Sequence, residues 1–339
     1  MNSTVRYFRV NFVEARFGAF LVTIVVLCMR VALFLHNKGL PEYPIHDTGF
    51  VWQYIAPFFQ TPTFSFVFST IFVYLIALFI SQLNLRFGII RTRTHLPFSA
   101  PLILFSLHPF FLHMSPDFVA LFFILLAFFP LLESHQRSYL QKYAYQSGIL
   151  LAIASIFTIY VLFFIPLWWR GAAMMSRFSI KAVLSSIFGT LLVYWIVFAL
   201  YVFADNIVGF TKPFYFFALF DIQQLPTLSV PMWGFLVSSS LFVIGFIIAD
   251  YRYFSRDKVV SQKMFLFITL LIVCSILLQI LYRQQSLLWI YLIVMFLAFI
   301  MAHFYTFATL KWDIYSFFLI AGLAILMYSM NYFSDFLAF

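Results

Sequence analysis

Charge is scarce in this sequence. Of its 339 residues only 20 are Lys or Arg and 11 are Asp or Glu, together 9%, against about 25% in a soluble globular domain. With a mean hydropathy of +1.01, a soluble globular fold is excluded. Cysteine is scarcer still: Cys28 and Cys274 both lie in apolar runs, which suggests neither a disulfide framework nor a thiolate metal site. There is no Walker-type phosphate loop, GxSxG, HExxH or CxxC pair, so ATP-driven transport by this chain alone is not expected. The nearest histidines to a ligand pair, His108 and His113, are five apart with Pro109 between them, and neither a metal nor a cofactor is expected. Ten-residue segments of alternating polarity are missing as well, which removes a transmembrane β-barrel.

What fills the sequence is hydrocarbon: 64% hydrophobic residues, including 50 Phe and 19 Tyr, in long continuous runs. These predict an all-α, polytopic membrane protein, a single integral membrane domain over 1–339 with about 11 transmembrane helices, given that a bilayer core of roughly 30 Å needs about 20 helical residues. Residues 1–17 form a basic lead-in, amphipathic and suited to the inner leaflet. No small-residue cleavage site follows it, so the first apolar run reads as an uncleaved span. Two outward loops, 37–62 and 205–231, each hold an apolar stretch that predicts an interfacial helix. The third span, 96–114, carries Pro97, Pro101 and Pro109 and is expected to kink.

The stretch from Tyr139 to Lys181 decides the sidedness. It crosses once, or it forms a short helical hairpin, 141–175, that turns near Thr158 to Tyr160. Short loops rich in Lys and Arg stay cytoplasmic. With the hairpin, sixteen of the twenty Lys and Arg share the cytoplasmic side; without it the tally is ten inside and nine outside. The hairpin is therefore expected, with the N-terminus cytoplasmic and the C-terminus outside. The net charge of +9 then reflects anionic membrane lipid headgroups as partner, and no nucleic acid is needed to explain it.

The acidic residues fall in loops or at span ends. None is expected at the midplane, which counts against proton- or ion-coupled transport. On the outward side the sequence gathers His46 and Asp47 after the first span, Asp117 in the turn before the fourth, Asp221 in the second long loop, and Arg283. A carboxylate that accepts a proton, beside an arginine that grips a phosphate bidentately, is the minimum equipment for transfer from a lipid-linked phosphate donor. Arg283 and Arg30 are the candidate phosphate contacts. Three of these residues also have a structural alternative: Asp47 as the N-cap of an interfacial helix, Asp117 as the acid in the first turn after Ser115-Pro116, Arg30 snorkelling to the outer headgroups.

The stretches PEYPIHDTGFVWQY, LHMSPDFVALFFILLAFF and GILLAIASIFTIYVLFFIPLWWR, over roughly the first half of the chain, resemble membrane-embedded C-type glycosyltransferases. The resemblance implies a polyprenyl-phosphate sugar donor, Asp47 as base on the acceptor, and Asp117 lining the same cavity. It is incomplete: His46-Asp47 stands where that family often has paired acids, and Thr158-Ile159-Tyr160 occupies a hairpin apex where a lysine is frequent. The chain also resembles an uncharacterised family of bacterial inner-membrane proteins, which implies that location. Two other functions stay open, a non-enzymatic subunit or scaffold of an envelope assembly with other envelope proteins as partners, and a transporter or flippase of a lipid-linked substrate.

Overall fold

A computed structural model describes residues 3–15, 17–36, 49–135, 137, 139–176, 179–218, 230–254, 257–281 and 288–333. Among the described residues every regular element is helical, with no strand. The lead-in is a short helix, α1 (Ser3–Phe8), continued as a π-helical turn over Arg9–Val13. Then come α2 (Gly18–His36), α3 (Trp52–Ile55), α4 (Pro62–Phe87), α5 (Leu96–Leu104), α6 (Pro116–Glu133), α7 (Leu140–Phe157) and α8 (Phe164–Met175). The second half holds α9 (Ile180–Phe203), α10 (Ile207–Ala218), α11 (Val230–Phe254), α12 (Val259–Leu281), α13 (Leu288–Phe307) and α14 (Lys311–Tyr332). Seven of these, α2, α4, α6, α9, α12, α13 and α14, are long and apolar enough to cross a membrane. Helix is the form a chain takes in hydrocarbon, because it satisfies backbone N–H and C=O groups within one segment.

Long-range contacts order the helices between two ends. At one end Arg86 pairs with Glu133, Ser261 donates to the Ile89 carbonyl at 3.1 Å, and His303 meets Asp257. At the other, Ser65 meets His113, Ser115 donates to Tyr291 at 3.1 Å, and His36 stacks on Tyr332 with ring centroids 4.3 Å apart. Of the described Lys and Arg, Arg30 lies buried beside the second end, and Lys212 follows Tyr201, which bonds to Phe50 there.

The 139–181 block doubles back. Helix α7 rises beside α6 from the first end to the second, then breaks at Thr158, whose backbone is extended at φ −142° and ψ 106°. A 3-10 turn over Ile159–Phe163 leads into α8, which returns until the Met175 carbonyl accepts from His135 Nδ1 at 2.7 Å. Helix α9 then runs parallel to α7, from Ser185 bonded to the Gln141 carbonyl to Tyr194 at Ser155. Glycine permits that closeness: a Cβ on Gly148 falls 2.5 Å from the Ser186 carbonyl oxygen, and one on Gly189 falls 2.8 Å from that of Tyr145. Small residues facing each other are how helices approach without a hydrophobic drive between them.

One local expectation is corrected. The third pass is broken rather than kinked: α5 stops at Leu104, and the chain continues through turns and a 3-10 segment, Pro109–Leu112, to the extended His113. The first outward loop carries a short helix that starts at Trp52 with Val51 in the N-cap position; Asp47, the expected cap, lies outside the described residues.

Helix α14 stands apart from the bundle, burying only Asp313, Ile314 and Asn331. Its ends are fastened. Asp313 accepts from Tyr253 at 2.5 Å at one end. At the other, Tyr328 donates to the Met29 carbonyl and Asn331 to that of Leu107, both at 3.0 Å. Between the fasteners lies a cleft of about 490 Å³ bounded by α2, α5, α13 and α14.

Candidate functional site

Of the expected outward residues, Arg30 lies against the broken third pass, and proline explains the hydrogen bonding there. In a helix the Phe105 carbonyl would take the N–H of residue 109 and the Leu112 carbonyl that of residue 116, and both are prolines without one. Arg30 Nη1 donates to the Phe105 carbonyl at 2.9 Å, and Ser69 Oγ donates to that of Leu112 at 2.6 Å. Arg30 is wholly buried. Its Nη2 donates to the Phe111 carbonyl and to Ser69 Oγ, and its Nε to Thr70 Oγ1, all at 3.0 Å. It therefore does not snorkel. As one of the two expected phosphate contacts, it has its donors engaged by neutral oxygens of its own protein.

Asp117 lies in the first turn of α6 and is 8% exposed. The N-cap position holds Ser115 as expected, yet Ser115 makes no capping bond and donates instead to Tyr291. Asp117 Oδ1 accepts from Thr158 Oγ1 at 3.2 Å, which ties the start of α6 to the hairpin apex. The apex also receives the end of the first outward loop. Phe50 N–H donates to the Ile156 carbonyl at 2.7 Å, and the Phe50 carbonyl accepts from Tyr201 Oη at 2.6 Å and Gln53 Nε2 at 3.3 Å. Gly49 sits so close that a Cβ would lie 2.1 Å from the Phe157 carbonyl oxygen; any other residue there forces the loop off the apex.

No family model, curated protein or solved structure matches this chain. Its chemistry is read from its own geometry.

Of the expected site residues, Asp117 and Arg30 are described and are not paired with each other: Asp117 bonds to Thr158, and Arg30 to the broken pass. His46, Asp47, Asp221 and Arg283 lie outside the described residues.

A second cluster, at the opposite end, escaped sequence reasoning. His303 is fully buried. Its Nδ1 lies 2.8 Å and 2.9 Å from the two carboxylate oxygens of Asp250, and its Nε2 lies 2.8 Å from Asp257 Oδ2. One imidazole thus joins the end of α11, the connection after it, and α13. No group of three or more His, Cys, Asp or Glu suited to a metal ion occurs among the described residues. The available signal was that all three fall at the same predicted membrane face.

Proposed function

We propose that this is a multi-pass protein of the bacterial inner membrane that transfers a sugar from a polyprenyl-phosphate donor at the outer face. It crosses eleven times, counting α7 and α8 as two limbs of the hairpin and α5 with Pro109–Leu112 as one pass, with the N-terminus cytoplasmic and the C-terminus outside. The observation that supports the site is the anchoring of Gly49 and Phe50 on the hairpin apex whose Thr158 binds Asp117. Asp47 precedes Gly49 by two residues, a length of chain that spans at most about 7 Å.

In this reading Asp47 takes the proton of an acceptor hydroxyl, with His46 beside it in the chain, and the acceptor oxygen bonds to the anomeric carbon. The bond from that carbon to the phosphate oxygen breaks, and polyprenyl phosphate leaves with the electron pair. Arg283 meets that phosphate. Arg30 contributes by holding the turn that leads to Asp117.

The test is mass spectrometry of lipid-linked and envelope glycans in cells that carry only the Asp47→Asn or Asp117→Asn chain, at matched protein abundance. Loss of a general base lowers turnover by about 10²–10⁴-fold, so Asp47→Asn abolishes the product. Undiminished product sinks the transferase reading. A protein that then copurifies stoichiometrically marks a subunit of an envelope assembly, and a lipid-linked substrate stranded on one leaflet marks a flippase.

A further inference from the structure

The cleft beside α14 is a sizeable unexplained feature, about 490 Å³ against about 50 Å³ for the cavity between α14 and α11. It exists because small side chains, Ala100 and Ala302 on one wall and Ala321 and Ala324 on the other, face one another. It cannot close, because polar fasteners hold both ends of α14 in place. Its lining is almost wholly apolar, so water has too few partners to occupy it. Val25 and Ile325 line the cleft and are also exposed, and they mark a mouth opening sideways between α2 and α14.

Length and charge identify the occupant. The lining of α14 from Phe317 to Tyr328 is about 16 Å of helix, roughly half of a hydrocarbon core of about 30 Å. The cleft begins at Phe12 and His95, the end that carries most of the basic residues. Burial lowers the proton affinity of His95 below the ordinary range, with backbone hydrogen bonding at Phe12 opposing it. Fixed positive charge at that end is instead supplied by Arg91 and Arg93, both exposed and just ahead of His95. A basic rim at the cytoplasmic end of an apolar gap between helices is the chemistry that holds an anionic headgroup.

We infer that the cleft is a binding site for one acyl chain of an anionic glycerophospholipid of the inner leaflet, with its phosphate at Arg91 and Arg93. The lipid acts as a removable wall of the bundle and completes the packing of α14. The inference rests on the sidedness proposed above and is independent of the transferase chemistry.

Native mass spectrometry of the full chain in mild detergent tests it, with phosphatidylglycerol, phosphatidylcholine of the same chains, and a polyprenyl phosphate offered in turn. The wild-type chain retains phosphatidylglycerol in preference to the other two. Ala321→Phe, which fills the cleft from the exposed helix α14, lowers retention about tenfold or more, the equivalent of two displaced methylene groups. Arg91→Gln with Arg93→Gln removes the preference for phosphatidylglycerol over phosphatidylcholine, about fivefold per arginine. Equal retention by Ala321→Phe and wild type overturns the site, and preferential capture of polyprenyl phosphate assigns the cleft to a substrate instead. A diazirine on the acyl tail provides a readout on the wild-type chain that needs no variant. It labels α5 and α14 facing the cleft; adducts confined to other helices overturn the assignment.

Discussion

Arg30 is the residue on which the broken third pass depends. Proline interrupts helical hydrogen bonding inside a membrane, where water is not at hand to replace it. A guanidinium carries five donors in a planar fork, and four bonds from Arg30 reach Thr70, Ser69, Phe105 and Phe111. Arg30→Met leaves the Phe105 and Phe111 carbonyls unmatched, at about 1–3 kcal/mol for each unsatisfied buried group. Arg30→Lys keeps the charge but offers a compact ammonium that cannot span the four acceptors. Both variants are expected to lower the thermal midpoint of the detergent-solubilised protein, Met by more than Lys. An unchanged midpoint for Arg30→Met excludes the structural role. In the sequence Arg30 was legible as an ionisable residue inside a span and the prolines as a disturbance. Their connection was not, because Arg30 lies 75 residues from Phe105 and the hydrogen bonds between them carry no sequence period.

At the scale of elements, the hairpin was readable and the inner cluster was not, for a shared physical reason. The asymmetry of Lys and Arg is a sum over many residues, so it survives ignorance of any single contact. That sum favoured the reversal that Met175 and His135 display. The cluster of Asp250, Asp257 and His303 depends instead on α13 returning beside α11, which apolar faces do not encode. Removing only the imidazole leaves two buried acids without their shared partner, whereas neutral groups need none. His303→Leu is therefore expected to cost about 3–5 kcal/mol. Adding Asp250→Asn and Asp257→Asn to His303→Leu recovers most of that. Reversible unfolding in detergent, followed by tryptophan fluorescence, measures both. A triple variant no more stable than His303→Leu assigns the loss to packing rather than charge.

For the whole molecule, hydrophobicity pointed to helices long and apolar enough to cross a membrane and charge is the basis of the proposed orientation, while neither indicated how the helices touch. Helix α14 illustrates the gap. As sequence it resembles any other span, and in the fold it stands off the bundle, held at its two ends. The proposed orientation has a direct consequence for access from the aqueous phase. Lys142, Lys181 and Lys258 lie exposed at the basic end and Lys212 lies exposed at the opposite one. In a background of Cys28→Ser and Cys274→Ser, a membrane-impermeant maleimide added to intact cells with a permeable outer layer is expected to label Lys212→Cys. It should spare Lys142→Cys, Lys181→Cys and Lys258→Cys until the inner membrane is opened. The pair Lys142→Cys and Lys181→Cys is the sensitive one, since a single crossing between them would put them on opposite faces. Labelling of one but not the other in intact cells removes the common compartment of the outward loops, and with it the proposed convergence of Asp47 and Arg283.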